Sequence, residues 1–136
     1  MRWMTLSILI AAVSIFAMGF DPTVAGAVLL SSAAGYYVGG EMAVPTLIFM
    51  SKLGVIDEEE IFSPFSTLVY DSIESGKRFG ALLGALTAKA ILTGVKPSLL
   101  MDFVMECVAI EIGFAFEDYS FIAVPTLSGV FLGVIW

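Results

Sequence analysis

The stretch Ser98–Phe116, SLLMDFVMECVAIEIGFAF, is the part of the sequence that decides the fold. A helix rises about 1.5 Å per residue, so a run of this length matches the hydrocarbon thickness of a bilayer. It also contains three carboxylates, Asp102, Glu106 and Glu111. Acidic side chains in such a helix need protein, water or a cation beside them. The stretch therefore predicts a membrane-spanning helix whose acidic residues face the inside of a helical bundle.

The composition of the whole chain favours the same environment. Hydrophobic residues make up 59% of the 136 positions, which is more apolar surface than a soluble domain of this length can bury. We therefore predict an all-α integral membrane protein, folded as one multi-pass domain over residues 1–136, with the lipid bilayer as a partner. A net charge of −7 argues against nucleic acid as a partner, because phosphate binding needs clustered Lys and Arg.

Several kinds of chemistry are excluded by residue type. The chain has no His and a single Cys, Cys107. This excludes His-based zinc or haem ligation, Ser-His-Asp catalysis and an intrachain disulfide. We predict no enzyme activity of its own, no cofactor and no metal; a role as accessory subunit of a membrane enzyme complex is compatible with this.

The N-terminal part of the chain predicts a transmembrane hairpin. Its two spans are Trp3–Phe20 and Thr23–Gly40, and the turn lies at Asp21-Pro22, because Pro suits the first turn of a helix. The distribution of Lys and Arg around the spans places the N-terminus in the cytoplasm. Residues 1–20 also have features of a signal peptide, and their cleavage is the alternative.

The C-terminal part predicts a second hairpin and a last apolar helix. The spans Phe79–Val95 and Ser98–Phe116 turn at Lys96-Pro97, and Phe121–Trp136 follows after a polar break. The last segment is short, so it either just crosses the membrane or enters it partway. We predict that this segment crosses the membrane.

The middle of the chain predicts an interfacial segment. A break at Gly39-Gly40-Glu41 is followed by Ala43–Ile56, which is apolar but short, and by the acidic run Asp57–Glu60. Residues 43–78 are therefore expected as short helices on one membrane face. The alternative is a further span at 43–56, which gives a total of four to five transmembrane helices.

One five-residue segment occurs twice in the sequence. Ala43-Val-Pro-Thr-Leu47 recurs identically as Ala123-Val-Pro-Thr-Leu127, and each copy follows a helical hairpin. An internal duplication would make residues 3–56 and 79–136 two repeat-like halves, joined by the amphipathic segment 57–78. Chance recurrence in a low-diversity apolar sequence is the alternative.

Small residues recur at helical intervals on several segments. Such stripes let helix backbones approach closely. The predicted packing faces consist of Ala27, Ser31, Gly35, Gly39, Gly80, Gly84, Ala88, Ala109, Gly113, Gly129 and Gly133. A small bundle cannot bury every stripe internally, so we expect some of them to contact other chains.

The acidic helix carries the residues most suggestive of function. Asp102 and Glu106 lie four residues apart and so on one helix face, whereas Glu111 projects elsewhere. Counting from the Lys96-Pro97 turn places Lys89 at the depth of Glu106, which predicts a buried Lys89–Glu106 ion pair. The same carboxylates could instead form a path for protons or hard cations.

Three functions follow from these patterns. The first is a small noncatalytic integral membrane subunit that packs by its small-residue faces into a larger complex of other membrane subunits or copies of itself. The second is a proton or cation transporter or channel working as a homo-oligomer, with Asp102, Glu106, Glu111 and Lys89 as its charges. The third is a structural membrane protein of a filament or envelope.

Overall fold

All the regular secondary structure in the described part of the chain is helical. The computed structural model describes Arg2, residues 22–63 and residues 67–132, except for the side chain of Glu60. The helices are α1 (Pro22–Lys52), α2 (Glu58–Phe62), α3 (Leu68–Thr93), α4 (Leu99–Ala115) and α5 (Ser120–Leu132), and a 3₁₀ turn at Glu117–Tyr119 connects α4 to α5.

The centre of the fold is a close antiparallel pair formed by α1 and α3. A Cβ atom added to Gly35 would lie 2.0 Å from the carbonyl oxygen of Gly80, so the two backbones touch directly. The facing positions are Ser31 with Gly84, Gly35 with Gly80, and Gly39 with Gly76. Residue numbers rise on one helix as they fall on the other, and every facing position is small. The pair depends on the absence of side chains along this line.

The other two long helices pack onto this pair. Helix α5 contacts α1, and α4 packs against α5 and, less extensively, against α3. Gly113 of α4 faces Val124 of α5 so closely that a Cβ would lie 2.5 Å from Val124 Cγ2. Gly129 of α5 faces the Ala25 carbonyl of α1. Small residues therefore set the α4–α5 and α1–α5 contacts as well.

Two apolar clusters of buried residues fill the space between the helices. One contains Val28, Ala85, Ala88 and Leu132, and the other contains Tyr36, Ala81, Ile110 and Val124. Each cluster joins residues of α1, α3 and α5, and the second also includes Ile110 of α4. The core is therefore narrow and rich in alanine and valine, as expected where helices approach closely.

Local sequence signals explain where the helices begin and end. The described part of α1 starts at Pro22, and Pro is suited to a first helical turn. Gly94 has a φ of 79°, a value that favours glycine, at the C-terminal end of α3. Asp57 caps α2, because its side chain accepts a hydrogen bond from the backbone N–H of Glu59. The acidic run after residue 56 is thus a helix start.

Helix α1 is longer than predicted. The predicted break at Gly39-Gly40-Glu41 is wrong, because one helix runs from Pro22 to Lys52. Glycine weakens a helix only modestly, and here Gly39 is held in the contact with α3. Residues 43–52 accordingly continue α1 and do not form a separate short helix.

The two AVPTL segments share one local feature. Pro45 lies inside α1 and Pro125 inside α5. The hydroxyl of Thr46 donates to the carbonyl oxygen of Met42, and that of Thr126 donates to Ile122, both over 2.7 Å. The internal duplication itself stays a prediction.

Helix α3 also begins earlier than predicted. It starts at Leu68, so the latter part of the predicted amphipathic segment 57–78 belongs to the same helix as Phe79–Thr93. The polar residues in its first turns do not interrupt the helix, because Asp, Glu, Lys and Arg are all tolerated on an exposed helical face. The turn after Thr93 and the bounds of α4 follow the prediction within one residue at each end of α4.

The predicted integral membrane architecture is wrong. Among residues 22–63 and 67–132, no helix combines the length and the apolarity that a bilayer crossing requires. Helix α4 has 17 residues with three carboxylates, and the longer α1 and α3 are diluted by Gly, Ser, Tyr and charged residues. The finding overturns the multi-pass membrane localisation with a cytoplasmic N-terminus and the predicted spans that lie within the described residues. The bilayer as a partner stays a prediction.

Some predictions concern residues that lie outside the described part of the chain. These are the first apolar segment Trp3–Phe20, its cleavage as a signal peptide, and the end of the last segment, which includes Gly133. The described part of the last segment is α5.

We predict that Gly80→Ala destabilises the fold whereas Gly26→Ala does not. The new Cβ at position 80 would lie 1.9 Å from the Gly35 carbonyl oxygen, so α1 and α3 must move apart. Overpacking of this kind costs about 1–3 kcal/mol. Gly26 has open space around a Cβ, so alanine there should stabilise α1 by up to about 1 kcal/mol. The measurement is the free energy of unfolding from denaturant titration. Equal effects of the two variants would contradict the contact.

Candidate functional site

Five polar residues are buried together between the helices. The group is Ser32 of α1, Lys89 of α3, Asp102 and Glu106 of α4, and Ser128 of α5, and it is called the buried polar cluster below. Every member is less than one tenth exposed, and Ser32, Glu106 and Ser128 are 0% exposed. Polar groups at such depth must be satisfied by one another. The bonds within this cluster therefore decide what the site can do.

The buried ion pair joins Lys89 to Asp102. The distance from Lys89 Nζ to Asp102 Oδ1 is 2.7 Å, and both side chains are 7% exposed. The predicted partner of Lys89 was Glu106, one helical turn further along α4, and the structure corrects that pairing. The connection from α3 to α4 explains the difference: Gly94 and Lys96-Pro97 bring α4 back so that its first turn, which contains Asp102, lies beside Lys89.

Glu106 is bonded to α5 by a hydroxyl. The distance between Ser128 Oγ and Glu106 Oε1 is 2.6 Å, and Ser32 Oγ lies 3.2 Å from Ser128 Oγ. The same Ser128 hydroxyl lies 2.8 Å from the carbonyl oxygen of Val124. A chain of oxygen atoms therefore links α4 to α5 and α1 through the centre of the fold.

The carboxyl group of Glu106 is incompletely satisfied. Its second oxygen, Oε2, is buried and has no hydrogen-bond partner among the residues that the structure describes. Burial raises the pKa of Glu106 from 4.5 to about 8, although the hydrogen bond with Ser128 acts in the opposite direction. Desolvation destabilises the charged form of a carboxyl group more than one neutral hydroxyl can compensate. Glu106 is thus a weak acid in the folded protein.

Glu111 lies apart from the other acidic residues of α4. It is exposed on the surface and bonds to Arg78 of α3. The Arg78 guanidinium also lies 4.4 Å from the ring centroid of Phe114. The predicted line of four charges therefore divides into two sites, because Glu111 and the buried polar cluster lie on different faces of α4. An exposed pair of this kind contributes little to stability.

A second polar contact joins α1 to α5 near the start of α5. The Tyr36 hydroxyl and Ser120 Oγ are 2.9 Å apart, and both residues are buried. Lys77 of α3 lies 5.4 Å from the Tyr36 ring centroid. A pocket of about 220 Å³ beside this contact is bordered by Glu74, Lys77 and Glu117, among others. Two carboxylates and one ammonium group border this pocket.

The predicted packing residues occupy helix contacts within the chain. Ser31, Gly35 and Gly39 of α1 contact α3. On α3, Gly80 and Gly84 contact α1. Ala88, Ala109, Gly113 and Gly129 are buried, and Ala27 is half-buried. The stripes of α1 and α3 therefore pack against each other.

The prediction missed Ser32, Ser128, Tyr36 and Ser120. A signal was present, since a buried carboxylate in an apolar helix needs hydrogen-bond donors and hydroxyl groups are the plausible ones in these helices. Which serine is used depends on helix rotation, and that is set by the α1–α3 contact. Within the residues that the structure describes, no three acidic or cysteine side chains converge as a metal site.

We predict that Lys89→Met destabilises the protein by about 3–5 kcal/mol, because it leaves the Asp102 charge buried without its partner. The double variant Lys89→Met, Asp102→Leu removes both charges and should recover most of that loss. Arg78→Met is the matched control, since its partner Glu111 is exposed, and its effect should stay below about 1 kcal/mol. Denaturant unfolding of the wild type, these three variants and the single variant Asp102→Leu measures the coupling. A double variant as unstable as Lys89→Met would contradict the pairing.

Comparisons with protein-family models, with curated proteins and with solved structures found no match for this chain. Its function is therefore argued from the geometry above and from the surface of the molecule.

Proposed function

We propose that the chain is a noncatalytic subunit of a larger protein assembly, which other protein chains join through the outward apolar faces of its helices. The observation that supports this most strongly is the polarity of α4, which is the reverse of that of an ordinary surface helix. Its buried face carries Asp102 and Glu106, and its exposed face carries large apolar residues.

The exposed face of α4 carries an apolar strip beside the charged Glu111. The strip consists of Leu100, Val104, Val108 and Ile112, spaced four residues apart, and their exposed fractions run from 40% at Ile112 to 74% at Leu100. Residues at this spacing are neighbours on a helix surface. Contiguous apolar surface of this kind marks an interaction site in a folded protein.

The other helices add further apolar surface. Exposed large side chains include Leu30 and Tyr37 of α1, Phe79 and Ile91 of α3, and Phe121 of α5. A groove of about 1020 Å³ also runs along the α1–α3 contact, and its walls include Val38, Met42 and Leu83. Apolar residues surround the molecule on several faces, which supports a subunit enclosed by neighbouring chains.

The position of the buried polar cluster supports a noncatalytic role. Ser128 and Glu106 form the kind of hydroxyl–carboxylate contact that could activate a nucleophile. Both residues are 0% exposed, so a substrate has no access to them in this conformation. The cluster fits a structural or regulatory role better than a reaction with an external substrate.

The other two functions remain predictions in a narrower form. A homo-oligomer that moves protons or cations would have to use Glu106, Asp102 and Lys89 without Glu111, because Glu111 lies on the surface. A filament built from copies of the chain would use the same outward apolar faces as the proposed assembly. The mass of the purified complex distinguishes a filament of copies from an assembly with other chains, because copies alone give multiples of 14.5 kDa.

We predict that the triple variant Leu100→Gln, Val104→Gln, Val108→Gln leaves the assembly. Each substitution replaces an exposed apolar side chain by a polar one of the same helix propensity class or better, so helix content by circular dichroism should persist. Removing apolar anchors from an interface weakens binding at least about tenfold. Native mass spectrometry of the tagged chain should show the wild type in a complex of fixed stoichiometry and the variant as single chains.

The matched control is Glu58→Gln, Glu59→Gln, which alters exposed polar residues of α2 and should leave the complex intact. A wild-type chain that is monodisperse at the mass of one chain would contradict the proposal. A triple variant that keeps the full complex would show that the strip on α4 is not its interface.

A further inference from the structure

The hydroxyl of Ser128 has a single hydrogen, but two acceptor oxygens lie within hydrogen-bonding distance of it. Its oxygen lies 2.6 Å from Glu106 Oε1 and 2.8 Å from the Val124 carbonyl oxygen, and Ser32 Oγ lies 3.2 Å away. A serine hydroxyl has one hydrogen and two lone pairs. It can donate to the carboxyl group or to the carbonyl, but not fully to both.

The number of hydrogens in this chain of oxygens depends on the charge of Glu106. With an ionised Glu106, the Ser128 hydrogen must point at the carboxylate, and the second carboxylate oxygen keeps a charge with no partner. With a protonated Glu106, the carboxyl group donates to Ser128, and Ser128 donates onward to Val124. Ser128 then accepts from Glu106 and Ser32, so all of its hydrogen-bonding capacity is used.

We infer that Glu106 is a buried proton-binding site, and that its proton closes a hydrogen-bond relay from α4 through Ser128 to α5 and α1. The ligand is a single proton, held on Oε1. Loss of that proton turns the Ser128 hydrogen away from Val124 and places an unpaired charge between the helices. The contact of Gly113 with Val124 lies at the same α4–α5 interface, so this interface loosens when the proton leaves.

The charged groups around Glu106 support this assignment. On α4 the nearest carboxyl group is Asp102, one turn away, which is bonded to Lys89 of α3. Lys89 is the only charged residue of α3 that is buried. The described part of α5 has no charged residue. From α1, Ser32 and Tyr36 bond to serine hydroxyls of α5. Lys89 is ion-paired with Asp102, whereas Glu106 is bonded to the Ser128 hydroxyl of α5, which itself bonds to Ser32 of α1.

The direction of the pH dependence follows from linkage. The pKa of Glu106 is raised from 4.5 to about 8 in the folded state, so between these values the folded protein holds a proton that the unfolded chain has lost. The contribution of Glu106 to stability is complete at low pH and disappears as the pH rises to about 8. Within that window the unfolding equilibrium constant should rise about tenfold per pH unit on account of this group.

The experiment measures the protonation of Glu106 directly and then its effect on unfolding. Infrared spectra of the wild-type chain, labelled with isotopic glutamate, should show the carbonyl stretch of a protonated carboxyl group at about pH 6 that is gone at about pH 10. Glu106→Gln, which resembles the protonated form, should lack this band. It should also lack the one-proton slope of the unfolding constant between pH 4.5 and about 8.

Glu111→Gln is the matched control, because it removes an exposed carboxyl group from the same helix and should keep both the band and the slope. Ser128→Ala provides a second variant that keeps Glu106: because the Ser128 hydrogen bond lowers the pKa of Glu106, its loss should move the disappearance of the carboxyl band to higher pH and should lower stability most at high pH, where Glu106 is ionised. The wild-type spectra need no variant, so the inference stays testable even if Glu106→Gln fails to fold.

Three results would overturn the inference. The first is a wild-type chain without a protonated carboxyl band at about pH 6. The second is a Glu106→Gln chain whose unfolding keeps the same pH slope as the wild type. The third is a titration that shifts when sodium chloride is replaced by choline chloride, because a cation and not a proton would then occupy the Glu106 oxygens. None of these readouts depends on what covers the apolar faces.

Discussion

The backbone contact between Gly35 of α1 and Gly80 of α3 is the constraint on which the rest of the structure depends. Because no side chains separate the two helices, their rotation about their own axes is fixed. Ser32 and Tyr36 each follow a contact residue by one position, so they project about 100° further round α1. That direction is toward α5, where Ser128 and Ser120 accept or donate their hydrogen bonds. The glycine contact thus selects which polar groups meet in the core.

The distribution of polarity is the second consequence of this packing. Small residues occupy the contacts between helices, so the core has little room for large apolar side chains. The interior instead holds the Lys89–Asp102 pair and the Glu106 carboxyl group, while much of the large apolar surface points outward. A fold of this kind has few apolar contacts of its own to offset buried charge. Neighbouring chains that cover the outer faces would therefore add stability as well as organisation.

The sequence predicted the parts of the fold that depend on local signals. The bounds of α4, the turn before it and the small-residue faces follow from apolar length, Lys96-Pro97 and helical spacing. The break in α1 was predicted wrongly, since the packing of Gly39 against α3 outweighs its low helix propensity. The membrane architecture was predicted wrongly from total apolarity, which does not show how carboxylates and glycines lower the apolarity of individual helices.

The candidate site was only partly predictable for a related reason. The sequence shows that Asp102 and Glu106 share a face of α4, and that Lys89 lies near them across the turn. It does not show the offset between two antiparallel helices to within one turn, and that offset decides between Asp102 and Glu106 as the partner of Lys89. The pairing of the two relay serines was even harder to predict, because Ser32 and Ser128 are 96 residues apart in sequence.

These separations also bear on the order in which the fold forms. Lys89 and Asp102 are 13 residues apart, and Glu106 and Ser128 are 22 apart, so α3, α4 and α5 meet through short stretches of chain. The contacts of α1 with α5 span 84 and 96 residues. Closing a longer loop costs more entropy and slows its contacts. During synthesis α1 is made before α5, so the hydroxyl groups of Ser32 and Tyr36 can form these hydrogen bonds only after α5 has been synthesised.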